Sequence, residues 1–475
     1  MKMEQIFSVD FYQSNKILPA GENRFYITEE TPFFAVEDVK LLTGKFPELI
    51  KISEEEFQEK LEEYISNLSH QTEEAKGEEV EGIEDLLQGT DTITVQFLNS
   101  TFLNAIRNNA SDIHFEPFRE KVIIRFRVDG ILHEINSIDH SLYQSVSSRI
   151  KVIARLNVAE KRLPQDGRIR VRIGKKELDM RVSTLPTVFG ERIVVRLLDK
   201  STKILTLNEL GFYQDDLKLY ESIISRPYGI VLVTGPTGSG KSTTLYASLL
   251  KLKNPRKNII TVEDPVEYQI DEINQIQVNP KIGLTFAAGL RSILRQDPDI
   301  VMVGEIRDLE TAEMAVHASM TGHMVLSTLH TNDAPSSVTR LVDMGIESFL
   351  VASSLEGIIA QRLVRRICNN CKEEVSPPVE EREIINKELG IDVNRLYVGK
   401  GCDICLGTGY KGRIAIYEIM NIDEEMRSFI SKNSDSKKIR DMAKNKGMKT
   451  LLQDGLRKAI DGITTVEEVI QITKV

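Results

Sequence analysis

Apolar and polar positions follow three different rhythms along this 475-residue chain. Residues 93–110, ITVQFLNSTFLNAIRNNA, carry apolar side chains at helical spacing and predict an amphipathic helix. The next stretch, EKVIIRFRVDGILHEI, alternates around Val128-Asp129-Gly130 and predicts a hairpin. GRIRVRIGKKELDMRVSTLP predicts a second hairpin turning at Gly174-Lys175-Lys176, and ERIVVRLL a further strand. Beyond residue 205 the rhythm changes again. IVLVTG, NIITVED, DIVMVGE and HMVLSTLH are unbroken apolar runs separated by helical stretches. Unbroken runs belong to strands covered on both sides, so the expectation is a parallel sheet with helices on both faces. The tail (DEEMRSFI, SKKIRDMAKN, LLQDGLRKAIDG, TTVEEVIQIT) reads as helices, the last capped by Thr465 with Glu468.

These rhythms divide the chain into six segments. Residues 1–68 predict a small α/β docking domain, a strand followed by two helices, with Ser53 and Glu56 as the capping box of the second. Residues 69–92 are an acidic linker poor in large apolar side chains. An α+β domain is expected over 93–205, the parallel-sheet domain over 206–360, a tetracysteine insertion over 361–420 and a helical region over 421–475.

Charge sharpens this division. Residues 1–90 hold 21 acidic and 8 basic side chains, a balance of −13 in a chain of net charge −10. The remainder is close to neutral and offers no broad basic surface for nucleic acid. No apolar run approaches the roughly 20 residues that span a bilayer, and MKMEQIFSVDF has no signal-peptide core. A cytoplasmic location is therefore expected. Within 161–200, eleven Lys or Arg stand against five Asp or Glu. Strand arginines Arg125, Arg127, Arg168, Arg181 and Arg196 either line a solvated sheet face or face a phosphate, which the planar guanidinium grips bidentately.

The strongest chemistry follows IVLVT: Gly235, Pro236, Thr237, Gly238, Ser239, Gly240, Lys241, Ser242, Thr243. Strand, glycine turn G-x-x-x-x-G-K-S and helix start are what a phosphate-binding loop requires. Backbone N–H groups curl around phosphate oxygens, Lys241 reaches the β- and γ-phosphates, and the Ser242 hydroxyl sits on Mg²⁺. A nucleoside triphosphate is the expected ligand. No N-K-x-D element follows, which argues against GTP. Glu263, Asp264 and Glu267 lie just past one strand and could polarise a water. Glu305 ends another strand, where such proteins place the acid that serves Mg²⁺. His317, His323 and His330 surround HMVLSTLH, each taken singly as a hydrogen-bonded structural residue. Cys368-x-x-Cys371 and Cys402-x-x-Cys405 match a closed, structural four-thiolate Zn²⁺ site.

Taken together, 93–475 resembles the secretion and pilus ATPases of the type II/type IV superfamily, most closely the type II secretion E-type and type IV pilus extension motors. GPTGSGKS resembles the family's Walker A, LRQDPDIVMVGEIRD its Walker B signature, ITVEDPVEY its Asp box and GHMVLSTLHTNDA its His box. The resemblance implies a RecA-like P-loop NTPase domain preceded by an α+β (PAS-like) domain and a small N-terminal docking domain. It also implies a homohexamer that hydrolyses ATP and works with inner-membrane platform and docking proteins, associating with the membrane through them. Carried over, Glu267 orients or activates water, Glu305 serves Mg²⁺, Arg181 and Arg196 reach the γ-phosphate, and His330 is the His-box residue. Arg291, Arg295 and Arg307 fall at positions for intersubunit or sensor contacts. The other reading is a DNA-uptake, conjugation-type or nucleic-acid translocating ATPase of the same fold, which the near-neutral body disfavours.

Overall fold

The computed structural model describes residues 12, 15–21, 24–32, 35–36, 39, 46–61, 64, 84–85, 93–173, 176–199 and 204–474. The chain forms two compact units, Met1–Ser201 and Thr202–Val475.

In the first unit, β1 (Ile17–Gly21) pairs antiparallel with β2 (Arg24–Ile27), and β3 (Glu48–Lys51) joins β2 in parallel. Tyr12, Phe25 and Phe57 are fully buried beside them. Ser53 Oγ accepts from Glu56 N at 3.2 Å where helical residues 54–61 begin, half of the expected capping box. The expected linker lies outside the described residues except for the short strand β4 (Glu84–Asp85).

A second sheet has the order β4-β8-β9-β10-β5-β6-β7. It is built from β5 (Asp112–Pro117), β6 (Val122–Val128), β7 (Ile131–Ile138), β8 (Gln165–Ile173), β9 (Lys176–Thr187) and β10 (Gly190–Asp199). Helices α1 (Ile93–Arg107) and α2 (His140–Ile153) cover one face. There Ile113, Phe115, Phe126, Met180, Val182, Ile193 and Val195 pack with Phe102 and Ile150. Asp129 and Gly130 turn between β6 and β7 with φ of 49° and 89°, the double positive φ of a tight hairpin. Gly174 and Lys175 of the other expected turn lie outside the described residues, but β8 and β9 are paired up to Ile173 and Lys176.

Alternation sends the arginines to the opposite face. Arg168, Arg181, Arg196, Asp112 and Arg127 form one row across five neighbouring strands. Buried carboxylates of the same sheet hold Arg127, Arg168 and Arg196. Arg196 Nε lies 2.9 Å from Asp112 Oδ1 and Arg127 Nε 3.9 Å from Asp112 Oδ2. Arg125 and Arg192 share Glu116, and Arg168 forks onto Asp179. The face is therefore neither simply solvated nor a bare cationic surface, because Asp112, Glu116 and Asp179 partly neutralise it.

The second unit is organised by a seven-stranded sheet of order β13-β12-β14-β15-β11-β16-β19. After α3 (Gln214–Ile224) come β11 (Gly229–Thr234), α4 (Lys241–Leu252), β12 (Ile259–Glu263), β13 (Asn274–Gln277) and α5 (Phe286–Ile293). Then follow β14 (Ile300–Val303), α6 (Leu309–Met320), β15 (Met324–Leu329), α7 (Ala334–Asp343), α8 (Ser348–Ser354) and β16 (Leu355–Ile367). The cysteine segment contains the hairpin strands β17 (Lys372–Val375) and β18 (Leu396–Gly399), with α9 (Val379–Leu389) between them. The chain re-enters the sheet as β19 (Tyr410–Asn421) and ends in α10 (Glu424–Lys432), α11 (Ser436–Asn445), α12 (Leu451–Ile460) and α13 (Val466–Thr473). All sheet neighbours are parallel except β16 and β19.

Both faces of the sheet are covered, as the unbroken apolar runs require: Ile230 and Leu232 enter one core, Val231 and Val233 the other. The expected boundary at residue 360 falls inside β16, and β16 and β19 complete the sheet with the cysteine segment looping between them. Glu356, Gln361, Arg362 and Arg365 interrupt the apolar run, so β16 lacks the pattern of a buried strand. Each finds a partner in the fold. Glu356, for example, is held by Arg226 and Arg427.

Candidate active site

The loop leaving β11 is shaped by glycine. Gly235, Gly238 and Gly240 have φ of 151°, 79° and 87°, a region that side chains with a Cβ rarely enter. At Gly235 a Cβ would lie 2.5 Å from Gln361 O and 2.6 Å from Ser239 Oγ; at Gly240 it would lie 2.7 Å from Gln361 Nε2. Gln361 thus backs the loop from β16, and its Oε1 accepts from Thr244 Oγ1 at 2.7 Å. Helix α4 starts at Gly240 without a side-chain cap, which leaves its first N–H groups for an anion. Ser239 Oγ is buried and without a hydrogen-bond partner. A cradle that excludes Cβ atoms, an uncapped helix start and an orphaned hydroxyl together fit a polyphosphate.

Lys241 lies under this loop and donates to Gly235 O at 2.8 Å and Pro236 O at 3.0 Å. Burial, with Arg362 adding to it and Glu305 opposing, pulls its ammonium down to about 8. Ser242 and the loop positions Pro236, Thr237 and Gly238 are exposed, and Thr243 is half-buried.

Glu305 emerges two residues past β14. Its Oε2 is 2.7 Å from Arg307 Nε and 3.5 Å from His330 Nε2. Backbone ties fix this tip: Gly304 N donates to Val262 O at 2.8 Å and Thr328 Oγ1 to Gly304 O at 2.8 Å. Burial first, then Lys241, holds His330 below the usual imidazole range. The structure therefore assembles Lys241, Glu305, Arg307 and His330 into one cluster. His323 is a structural residue, with Nδ1 2.9 Å from Ala318 O, and His317 is exposed on α6. Arg291 pairs with Glu310, and Arg295 donates to Arg291 O on the same helical segment. Arg181 and Arg196 belong to the sheet of the first unit.

The three carboxylates after β12 separate by environment. Glu263 is buried and accepts from Thr261 Oγ1, from Gln275 Nε2 at 3.0 Å and from Tyr246 OH. Its two oxygens already serve three protein donors, so of the three carboxylates it is the least available to a water. Asp264 is exposed and Glu267 half-buried on the loop beyond.

Several contributors were not visible in the motifs. Arg362, buried on β16, donates from Nη2 to Asn332 O at 3.0 Å and joins the segment after His330 to β16. Thr234 Oγ1 accepts from Thr331 N at 2.9 Å and fixes the same segment. Tyr246 on α4 reaches the loop that carries Glu267. A tyrosine five residues past the P-loop lysine and a Gln-Arg pair inside an apolar strand were the available signals.

The four cysteines converge, with their Sγ atoms all within 4.8 Å of one another. Cys368–Cys402, Cys371–Cys405 and Cys402–Cys405 are separated by 3.9, 3.8 and 3.6 Å. Four thiolates at about 2.3 Å from one ion stand about 3.8 Å apart, so the residues fit Zn²⁺. Asn370 Nδ2 donates to Cys402 Sγ at 3.3 Å and lowers that thiol to about 6. No helix among the described residues is long and apolar enough to cross a membrane.

Comparison with known proteins agrees with this geometry. Residues 88–471 match the family described as Type II/IV secretion system protein. The chain is 52% identical over 404 residues to the Type II secretion system protein E of Pseudomonas aeruginosa, covering 84% of this chain and 80% of that protein. It is 49% identical over 400 residues to the Type IV pilus assembly ATPase PilB of Thermus thermophilus, covering 84% of this chain but 45% of that protein. The crystal structure of the Legionella pneumophila ATPase DotB superposes with a TM-score of 0.61 at 22% identity, over 82% of this chain and 99% of that one. The architecture is thus the RecA-like P-loop type, with an α+β unit before it.

Proposed function

This chain belongs to the type II/IV secretion system protein family, and from that membership we propose that it is an ATP-hydrolysing motor for type II secretion or type IV pilus assembly. The observation that carries the reading is the glycine cradle with Lys241 beneath it and the Glu305–His330–Arg307 cluster beside it.

In this reading ATP lies with its phosphates along Gly235–Thr243, and Lys241 exchanges the Gly235 and Pro236 carbonyls for phosphate oxygens. Ser242 and Glu305 would hold Mg²⁺, which neutralises charge on the phosphates when bound. Glu267 orients the attacking water. His330 keeps Glu305 in place, and with its imidazole held below the usual range it would not compete as a cation for the Glu305 charge that would hold Mg²⁺. Arg181 and Arg196 would supply charge to the γ-phosphate, Arg196 by leaving Asp112. Cys368, Cys371, Cys402 and Cys405 would hold Zn²⁺ as a structural clasp. We assign the assembly as a homohexamer at the cytoplasmic face of the inner membrane, docked through platform and docking proteins.

Phosphate release by the purified chain tests this. Lys241→Ala should lose ATP binding, while Glu305→Ala should keep it and lose at least a hundredfold in kcat. Unchanged turnover in both variants would refute the assignment. Turnover that instead requires double-stranded DNA would favour a nucleic-acid translocase.

A further inference from the structure

The loop from Asp264 to Ile270 has to place Glu267 reproducibly, yet it contains no regular secondary structure. Its anchors come from elsewhere. Tyr246, fully buried on α4, sends its hydroxyl across to the loop, where it accepts from Glu267 N at 3.2 Å and from Tyr268 N at 3.4 Å. The same hydroxyl donates its proton to Glu263 Oε2 at the end of β12. The Tyr246 ring also packs edge-on against Tyr268, with centroids 5.6 Å apart. Gln275 closes the far side of the loop: Nε2 donates to Glu263 Oε1 at 3.0 Å and to Tyr268 O at 2.9 Å, and Oε1 accepts from Ile270 N at 2.8 Å.

One hydroxyl therefore ties three elements together: the helix that begins at Lys241, the strand that ends at Glu263, and the backbone amide of Glu267. A phenol has one proton to donate and lone pairs to accept, and all are used here in a water-excluded site. Burial, reinforced by Glu263, raises the phenol far above its usual range, so it stays a donor to Glu263 at any working pH. The acid that the motif displays first, Glu263, serves as the acceptor that orients this tyrosine.

We propose that Tyr246 is a positioning residue for hydrolysis, holding the Glu267 backbone in register with the phosphate-loop helix. It touches no substrate and acts through Glu267, so the inference rests on the assignment of Glu267 above. Such a role predicts a specific kinetic pattern. Tyr246→Phe keeps the ring and its packing on Tyr268 but releases the two amides. Binding of a fluorescent ATP analogue should stay within about twofold, while kcat falls by about tenfold to a hundredfold, the usual consequence of a reacting group misplaced by an ångström or less.

The decisive experiment is a double-mutant cycle on the full chain with Tyr246→Phe and Glu267→Gln, reading kcat, KM and analogue affinity together. If Tyr246 works through Glu267, Tyr246→Phe costs nothing further once Glu267 is Gln. Equal losses from Tyr246→Phe in both backgrounds, a normal kcat in Tyr246→Phe alone, or loss of analogue binding in Tyr246→Phe would each overturn the proposal and leave the ATPase reading standing. A normal kcat in Glu267→Gln would remove Glu267 from the mechanism and Tyr246 with it. Lys241→Ala, run alongside, reports on the ATPase reading by itself.

Discussion

At the residue scale, Lys241 is an ammonium under strain from its surroundings. Burial and the nearby Arg362 lower it to about 8 from an ordinary 10.5, and only Glu305 pulls the other way. A triphosphate binds the protonated form, so the free protein must take up a proton to bind once the pH exceeds about 8. The dissociation constant of a non-hydrolysable ATP analogue should change by no more than about twofold between pH 7 and pH 8, rise about fivefold from pH 8 to pH 9 and approach tenfold per pH unit beyond. Fluorescence titration across that range checks it, and a flat profile to pH 9.5 would show that Lys241 titrates normally. Glu263 makes the complementary point. Beside the same site, its two oxygens serve Tyr246, Thr261 and Gln275, and its identity as a carboxylate says little about catalysis.

Among elements, β19 carries a similar lesson in stability. Glu418 is buried on it and accepts from Ala334 N at 2.8 Å, at the start of α7. Burial, with Asp333 adding to it, raises the carboxyl to about 7 from 4.5. The folded protein thus prefers Glu418 protonated, and its contribution is complete below about pH 4.5 and lost as the pH rises through 7. A shift of that size is worth on the order of 3 kcal/mol. Glu418→Gln keeps an acceptor for Ala334, so it should melt like the parent at pH 4.5 and above it at pH 8, measured by calorimetry. Elements of this kind also mark how far the sequence could be read. β11, β12, β14 and β15 were legible because burial on both faces leaves an unbroken apolar run, and the phosphate loop because its glycines answer a local demand on φ. β16 was not, because its Gln361 and Arg362 are polar for reasons 117 and 30 residues away, at Thr244 and Asn332. Likewise Glu468, expected only to cap α13, donates its backbone N–H to Thr465 Oγ1 as foreseen but turns its side chain to Arg365, whose Nε donates to it at 3.0 Å. Pairings between distant strands and helices leave no periodic trace.

For the whole molecule, the tetracysteine cluster joins neighbours in the main sheet. Cys368 follows β16 directly, while Cys402 and Cys405 precede β19, the strand antiparallel to it. Cys402→Ser, or chelation of the wild-type chain, should therefore lower the melting temperature by several degrees while ATP analogue affinity stays within about threefold. Loss of nucleotide binding on chelation would mean that the clasp also shapes the phosphate loop. The sheet of the first unit has a subtler economy. Asp112 is shared: Arg196 and Arg127 both lie against it. In the proposed cycle Arg196 departs toward phosphate, and an acid left alone in a dry interior would make that departure steep in energy. With Arg127 already alongside, the anion is never abandoned. In that reading the travelling guanidinium can leave and return while Asp112 keeps a cation beside it.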